Sequence, residues 1–461
     1  KKEEIIMDIL ENLTPPEINL KKYYDVVNDT VLVKEHGKVQ QIVGIVIESE
    51  GPGGNVGEIC YIYPKDKSKP PLRSEIVGFK GGRVLLMPYG ELTGIGPGCE
   101  VRATGTVLQI EVGDQLIGRI INGLGEPIDG KGPINSGKFY PIYNDPPSPF
   151  VRPPIADPLP TGCKLFDAFL TFGKGQRQGI FAGSGVGKST TLGMIARETA
   201  ADINVLTLVG ERGRELRDFV EHVLKEKGMA RSVIVVSTSD RPALERIKCC
   251  FTGTTVSEYF RDQGKDVMMM LDSVTRFAMA QREIGLAVGE PPATKGYTPS
   301  VFAMLPKLLE RPGTAPVGTI TALYTVLVDG DDMDEPIADC VRSILDGHIE
   351  LKRKLAARQI FPCIDLGPSV SRLFGEVTTE VHKKAAGAYR EAWSLYENAE
   401  DLISIGAYKP GGNLKLDWAV RNFDRMVEFR KQRVTDRCPF DETIQNLAAL
   451  MSSDGSPWYN K

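Results

Sequence analysis

Residues 178–200, QGIFAGSGVGKSTTLGMIARETA, restrict this chain more than any other stretch. Apolar residues lead into Gly183, Gly185 and Gly187 at alternate positions, and Lys188, Ser189 and Thr190 follow at once. The pattern predicts a buried strand end, a loop and the start of a helix. Glycines let the loop turn its backbone N–H groups inward, and the helix N-terminus adds the positive end of its dipole. Gly183, Ser184, Gly185, Val186, Gly187 and Thr190 then form a cradle for a polyphosphate. Lys188 can reach the β- and γ-phosphates, and the Ser189 hydroxyl can ligate Mg2+. The strict pattern has glycine at position 182, where this chain has Ala182. A methyl group is the smallest change available, so the loop is expected to survive it.

With 461 residues the chain is too long for one core, and two to four domains are expected. It is 41% hydrophobic and 25% charged, as a globular chain is. A net charge of -4 gives no overall basic field for nucleic acid. No apolar run approaches the roughly 18–20 residues that a membrane-spanning helix needs. KKEEIIMDILENL at the start lacks a signal peptide's apolar core and cleavage site. The eight cysteines show no CxxC or Cys/His metal spacing, so reduced, buried packing residues and a cytoplasmic setting are expected.

Within residues 1–20, Ile5, Ile9 and Leu13 share one face of an expected amphipathic helix. It suits its own domain's core, a docking partner or a membrane surface equally. Residues 21–106 carry short β-type runs broken by glycine, such as QIVGIVIES and EICYIYP, which predict a small closed barrel. The barrel shows no cluster of stacking aromatics and basic residues for single-stranded nucleic acid. PIYNDPPSPFVRPPIADPLP, residues 141–160, holds eight prolines and predicts an extended strap over the following domain. In residues 107–378, apolar strands alternate with helical stretches, which predicts an α/β fold with a parallel sheet covered on both faces. Residues 379–461 are charged and helix-rich, so a C-terminal helical domain is expected.

Three further residues point at the phosphate loop. Asp272 ends the apolar strand VMMMLD, where a carboxylate ligand for Mg2+ belongs. Glu211 directly follows the strand NVLTLVG and can polarise the attacking water, with Arg212 beside it to hold the γ-phosphate or orient Glu211. Arg372, in PSVSRLFGE beyond the last core strand, is a candidate arginine finger. Read alone, GERGRE is a charged surface loop and Arg372 a solvated arginine. Their places relative to the strands give them weight.

AGSGVGKST, VGERGRE, MLDSVTRFA, REIGLAVGEPPATKGYTPSVFAMLPKLLER, TALYTVLVDGDDMDEPIADCVRSILDGHI and PSVSR together resemble the flagellar type III protein export ATPases. That family is similar to the catalytic subunits of rotary F- and V-type ATPases. The resemblance runs from about Gly37 to about Arg433. It implies an N-terminal β-barrel, a RecA-like P-loop core and a C-terminal helical domain, assembled as a homohexamer with ATP and Mg2+ bound between subunits. Lys188 and Ser189 then bind phosphate and Mg2+, Glu211 activates water, Asp272 is the acidic Walker B residue, and Arg372 acts on the neighbour's nucleotide. Phe361 matches the aromatic that packs on adenine, and Tyr408 is a second candidate for that pocket. The expected partners are a stator-like regulator, export chaperone–substrate complexes and a membrane export gate at the flagellar base. The N-terminal segment would dock the regulator or touch acidic lipid.

Other classes remain open on the residues. A non-flagellar type III secretion ATPase is the nearest, and a rotary F/V-type catalytic subunit follows. A hexameric RNA translocase shares the core, but the acidic net charge and the barrel composition argue against it. A subunit that only holds nucleotide would not need Glu211.

Overall fold

A computed structural model of the chain describes residues 35–461, except Ser184, Asp329, Asp331, Asp454, Asn460 and Lys461. Ahead of these it describes Met7, Leu20, Lys21, Tyr23 and Tyr24. The amphipathic helix expected within residues 1–20 therefore lies outside the described residues, apart from Met7 and Leu20.

Among the described residues, six antiparallel strands close into a barrel. They are β1 (His36–Val43), β2 (Val46–Glu50), β3 (Glu58–Tyr63), β4 (Leu72–Lys80), β5 (Arg83–Pro88) and β6 (Glu100–Val107). Their order is β1-β2-β5-β4-β3-β6, and pairing of β1 with β6 closes the ring. Successive side chains on a strand point to opposite faces. Ile47, Cys60 and Leu86 accordingly fill the barrel, while their neighbours Val46, Ile59 and Leu85 pack against the next domain.

The second unit is a mainly parallel sheet. Its strands are β7 (Ile120–Asn122), β8 (Arg177–Ala182), β9 (Ile203–Glu211), β10 (Ser232–Thr238), β11 (Asp266–Asp272), β12 (Thr319–Leu327), β13 (Gly347–Leu351) and β14 (Ile364–Ser371). They lie in the order β14-β13-β8-β12-β11-β9-β10-β7, with β14 antiparallel to β13 and the others parallel to their neighbours. Helices α1 (Lys188–Glu198), α2 (Ala243–Asp262), α3 (Val274–Val288), α4 (Pro299–Leu309) and α5 (Pro336–Ile344) flank it. Alternate strand residues feed two cores, Val205, Val209, Met269 and Leu271 on one face and Leu206, Leu208, Met268 and Met270 on the other. That double burial is why these strands read as unbroken apolar runs.

The proline-rich stretch is a strap. Phe139–Pro141 pairs with Gln109–Glu111, and Pro158–Leu159 pairs with Phe172–Gly173. Between them Arg152 donates to the carbonyls of Glu310 at 2.6 Å and Pro312 at 2.7 Å. A buried ion pair ties the barrel to the sheet domain: Lys248 of α2 lies 2.6 Å from Glu75 of β4 and donates to the Tyr143 hydroxyl at 2.6 Å.

Helices α6 (Glu380–Ser404), α7 (Leu414–Arg430) and α8 (Phe440–Ser452) complete the chain, with Tyr389, Trp393 and Trp418 buried among them. In the acidic stretch 329–336, Glu335 caps α5 by accepting from the Ile337 and Ala338 N–H groups. No helix among the described residues is long and apolar enough to cross a membrane.

Candidate active site

Because β8, β9, β11 and β12 run parallel and in register, Ala182, Glu211, Asp272 and Leu327 emerge at one edge of the sheet. Ligands bind at such carboxyl ends in open α/β sheets. Ala182 is the last residue of β8 and is buried, so its methyl group belongs to the strand rather than the loop. The loop that follows uses left-handed backbone at Gly185 (φ 82) and Gly187 (φ 91), which only glycine adopts without strain. Gly187 immediately precedes α1, and no side chain caps the helix, so its first N–H groups stay open to an anion.

A cleft of about 620 Å3 opens there, lined by Gly183, Gly185, Gly187, Lys188, Ser189, Thr190, Gly210, Glu211, Arg212, Glu215, Ser239, Arg276 and Leu327. Lys188 Nζ is hydrogen-bonded to Asp272 Oδ1, which also accepts from Thr325 Oγ1 at 2.8 Å. Burial, and next the nearby charge of Asp272, push the Glu211 carboxyl up to about 7. That places it near the neutral range in which a general base works best. Ser189, Glu211 and Asp272 also border a smaller cavity of about 240 Å3 that extends the cleft toward Phe219. Its hydroxyl and carboxylate oxygens are the hard donors that Mg2+ takes beside phosphate and water. The donor set fits that ion. Among the described residues no cluster of three His, Cys, Asp or Glu forms a separate metal cage.

Comparison with known proteins places this geometry. The ATP synthase alpha/beta family, nucleotide-binding domain, matches residues 162–371, and the beta-barrel domain of the same family matches 39–105. The T3SS EscN ATPase C-terminal domain matches residues 378–449. The flagellum-specific ATP synthase of Bacillus subtilis is 52% identical over 93% of this chain and 98% of its own length. The chain belongs to the ATP synthase alpha/beta family, in its flagellar and type III secretion ATPase branch. The type 3 secretion system ATPase of Xanthomonas euvesicatoria is 44% identical over 90% of this chain and 94% of that protein. The assembled ATPase EscN of the enteropathogenic E. coli type III secretion system superposes with a TM-score of 0.86 at 44% identity. That match covers 90% of this chain and all of EscN's. The protein is thus an ATP-hydrolysing enzyme, and its β-barrel, P-loop α/β core and C-terminal helices are the architecture expected from the sequence.

Not every candidate residue lies in the cleft of this ATPase. Gly183, Gly185, Gly187, Lys188, Ser189, Thr190, Glu211 and Arg212 line it, and Asp272 borders the adjoining smaller cavity and bonds to Lys188. Ser184 is outside the described residues. Val186 is buried behind the loop, where its carbonyl accepts from the Cys363 thiol at 2.9 Å. That contact brings the IFPCID segment against the loop and leaves Phe361 42% exposed beside it. Tyr408 is spent on a hydrogen bond to Asp417 and does not line the cleft.

Arg372 is farthest away. It follows β14, which runs antiparallel, so Ser371 pairs with Gly347 at the amino end of β13. Its N–H donates to Asp346 O at 3.0 Å. Asp346 also pairs with Arg177, the first residue of β8, and the phosphate loop leaves β8 six residues on, about 20 Å away at ~3.3 Å per residue. Arg372 and the phosphate loop of one chain thus stand at opposite edges of the sheet.

Arg276, Glu215 and Ser239 line the cleft but were not singled out from the sequence. Arg276 is the most informative, because its Nε is buried without a hydrogen-bond partner. Its signal was present in MLDSVTR. Ser273 caps α3 by accepting from the Arg276 N–H, so the first turn of α3 must flank the edge that Asp272 reaches.

Proposed function

We propose that the chain is the Mg2+-dependent ATPase of a flagellar protein-export apparatus, working as a homohexamer at the cytoplasmic face of the membrane. In this reading each site is built from two copies. One copy supplies the phosphate loop with Lys188, Ser189 and Thr190, along with Glu211, Arg212 and Asp272. Glu211 takes a proton from the attacking water, and Arg212 steadies the terminal phosphate or Glu211 itself. Ser189 and Asp272 would hold Mg2+, which would supply positive charge to offset that of the phosphates. The next copy supplies Arg372 to the transferring phosphoryl group. Phe361 stacks on adenine, and Tyr408 is the second aromatic for that pocket. The sheet's polarity carries this reading, because one chain holds both halves of a site yet cannot bring its own halves together.

The identity of 52% to the flagellum-specific relative of Bacillus subtilis, against 44% to the secretion-system ATPase of Xanthomonas euvesicatoria, supports the flagellar assignment. The match of residues 378–449 to the EscN C-terminal domain favours a second reading, the ATPase of a non-flagellar type III system. EscN has been solved with its central stalk EscO, so a stalk or stator-like partner is expected here, together with export chaperone–substrate complexes and the export gate. The N-terminal segment is the expected contact for the regulator or for acidic lipid. No specific nucleic acid is part of this reading.

Two measurements test it. ATP turnover per chain should rise with protein concentration and collapse in Arg372→Ala, whereas a flat dependence would count against a shared site. Deleting the gene in its own host should abolish secretion of filament subunits. Loss of effector secretion with intact filaments would select the second reading.

A further inference from the structure

Arg372 hangs from an irregular strand. In the pairing of β13 with β14, His348 faces Val370 and Glu350 faces Asp365, so residues 366–369 stand opposite Ile349 alone. Such a bulge leaves backbone carbonyls without ladder partners, and buried carbonyls need donors. The donors come from the C-terminal helices. Arg390 of α6 puts Nη1 between the carbonyls of Leu366 and Ser369, the latter at 3.3 Å, and its Nη2 donates to Phe169 O at 3.0 Å. Arg430, the last residue of α7, donates Nη2 to Ile364 O at the start of β14. It lies fully buried with its guanidinium 4.0 Å from the Trp393 ring centre.

The sheet domain holds the same strand from its other side. Glu350 N–H donates to Ser369 Oγ at 3.0 Å, and Gln176 Nε2 donates to Ser371 Oγ at 3.0 Å. Ser371 in turn donates to Thr171 O at 3.2 Å. The C-terminal helices thus hold the bulge through Arg390 and the start of the strand through Arg430. A guanidinium has a rigid, planar set of donors, so the position of α6 dictates where Leu366 and Ser369 sit. Arg372 lies three residues beyond Ser369.

We propose that Arg390 is a positioning residue for Arg372, through which the C-terminal helical domain sets the reach of the arginine offered to a neighbouring copy's nucleotide. This rests on the shared-site reading above. Among the described residues, the hydrogen bonds of Arg390 go to Leu366, Ser369 and Phe169, none of which lines the phosphate cleft. Its effect is therefore felt in the adjacent copy's site and not in its own. A load on the helices that shifts α6 moves the bulge, and turnover next door changes without any change in nucleotide contacts there.

The test mixes full-length chains. Arg390→Gln alone should lose turnover by about 100-fold, the scale of a roughly 1 Å misplacement at a reacting centre, with KM for ATP unchanged. Arg390→Gln chains are then dissociated and reassembled with Lys188→Ala chains, which carry a sound Arg372 and a dead loop. Recovered turnover is expected, because each Lys188→Ala chain can serve the intact loop of an Arg390→Gln neighbour. Arg372→Ala mixed with Lys188→Ala runs in parallel. Failure of that control to recover overturns the shared site itself. Recovery there without recovery for Arg390→Gln overturns the positioning role alone. If Arg390→Gln does not assemble by sedimentation, Arg390→Lys carries the same test, with a smaller loss of turnover and the same rescue.

Discussion

Lys188 Nζ and Asp272 Oδ1 are hydrogen-bonded to each other, both nearly buried, where the nucleotide cleft meets the adjoining smaller cavity. The ammonium and the carboxylate thus neutralise each other there. In the proposed reading Lys188 turns to the phosphates and Asp272 to Mg2+, so ATP binding would part the pair and give each a new partner of the same charge as the one it lost.

Removing one partner strands the other. Lys188→Met leaves the Asp272 carboxylate, with only 3% of its side chain exposed, facing Thr325 alone. Breaking a buried pair costs about 3–5 kcal/mol. A clear drop in the melting temperature of the nucleotide-free protein is expected, and Lys188→Met/Asp272→Asn should cost less than the two single changes summed. Strictly additive shifts in differential scanning calorimetry would contradict the pairing.

Glu211 makes activity and stability pH-dependent in opposite senses. As a base it must lose its proton, so kcat/KM should climb as pH rises through about 7, where its pKa is held by burial and by Asp272. Stability runs the other way. With a folded pKa above the ordinary 4.5, the native state holds the proton longer than the unfolded chain, so stability is lost between pH 4.5 and about 7. Glu211→Gln should abolish turnover while still binding ATP. Its melting temperature relative to the parent should be unchanged near pH 4.5 and higher at pH 8. Persisting turnover would remove Glu211 from its role.

The loop glycines are not equivalent to their neighbour. A Cβ at Gly187 would meet no atom within 4 Å, so the penalty of Gly187→Ala comes from its φ of +91 alone. Non-glycine residues pay about 1–2 kcal/mol there, and the strain falls on the N–H groups that face phosphate. ATP affinity measured by calorimetry should fall about tenfold, as roughly 1.4 kcal/mol does. Ala182→Gly lies within the strand and should leave affinity as it was.

Phe361 and Tyr408 can be separated by kinetics. Phe361 is free to take a base on its ring, and base–aromatic stacking is worth about 1–3 kcal/mol. Phe361→Ala should raise KM for ATP with kcat retained, and Phe361→Trp should restore it. Tyr408→Ala should raise KM less than Phe361→Ala, because the Tyr408 hydroxyl is bonded to Asp417 and its ring does not line the cleft. A KM rise in Tyr408→Ala equal to that of Phe361→Ala would place both on adenine.

What could be read from the sequence was local. Lys188, Ser189, Glu211 and Asp272 sit at the ends of apolar runs, and a run's carboxyl end in a parallel sheet fixes which edge its next residue joins. The barrel was legible for the same reason, from glycine-broken runs of strand length. Arg276 was missed because its place depends on how α3 leaves β11, a turn set by the Ser273 cap. Gly367 and Pro368 in LGPSVS do mark a break in the ladder of β14, but not what holds it, since its carbonyls are satisfied by Arg390 from α6, 21 residues beyond Ser369. Nothing in YREAW says which carbonyls that guanidinium will meet.

The opposite placement of Arg372 and the phosphate loop also dictates what small assemblies can do. In the shared-site reading, a contact completes a site only where the arginine end of one copy meets the loop end of another. Copies joined head to tail complete one site per contact, leaving a spare loop at one end and a spare arginine at the other. An open row is always one site short of its number of chains. Only closing the circle supplies the last one, so specific activity should rise with each added chain and take one further step at closure.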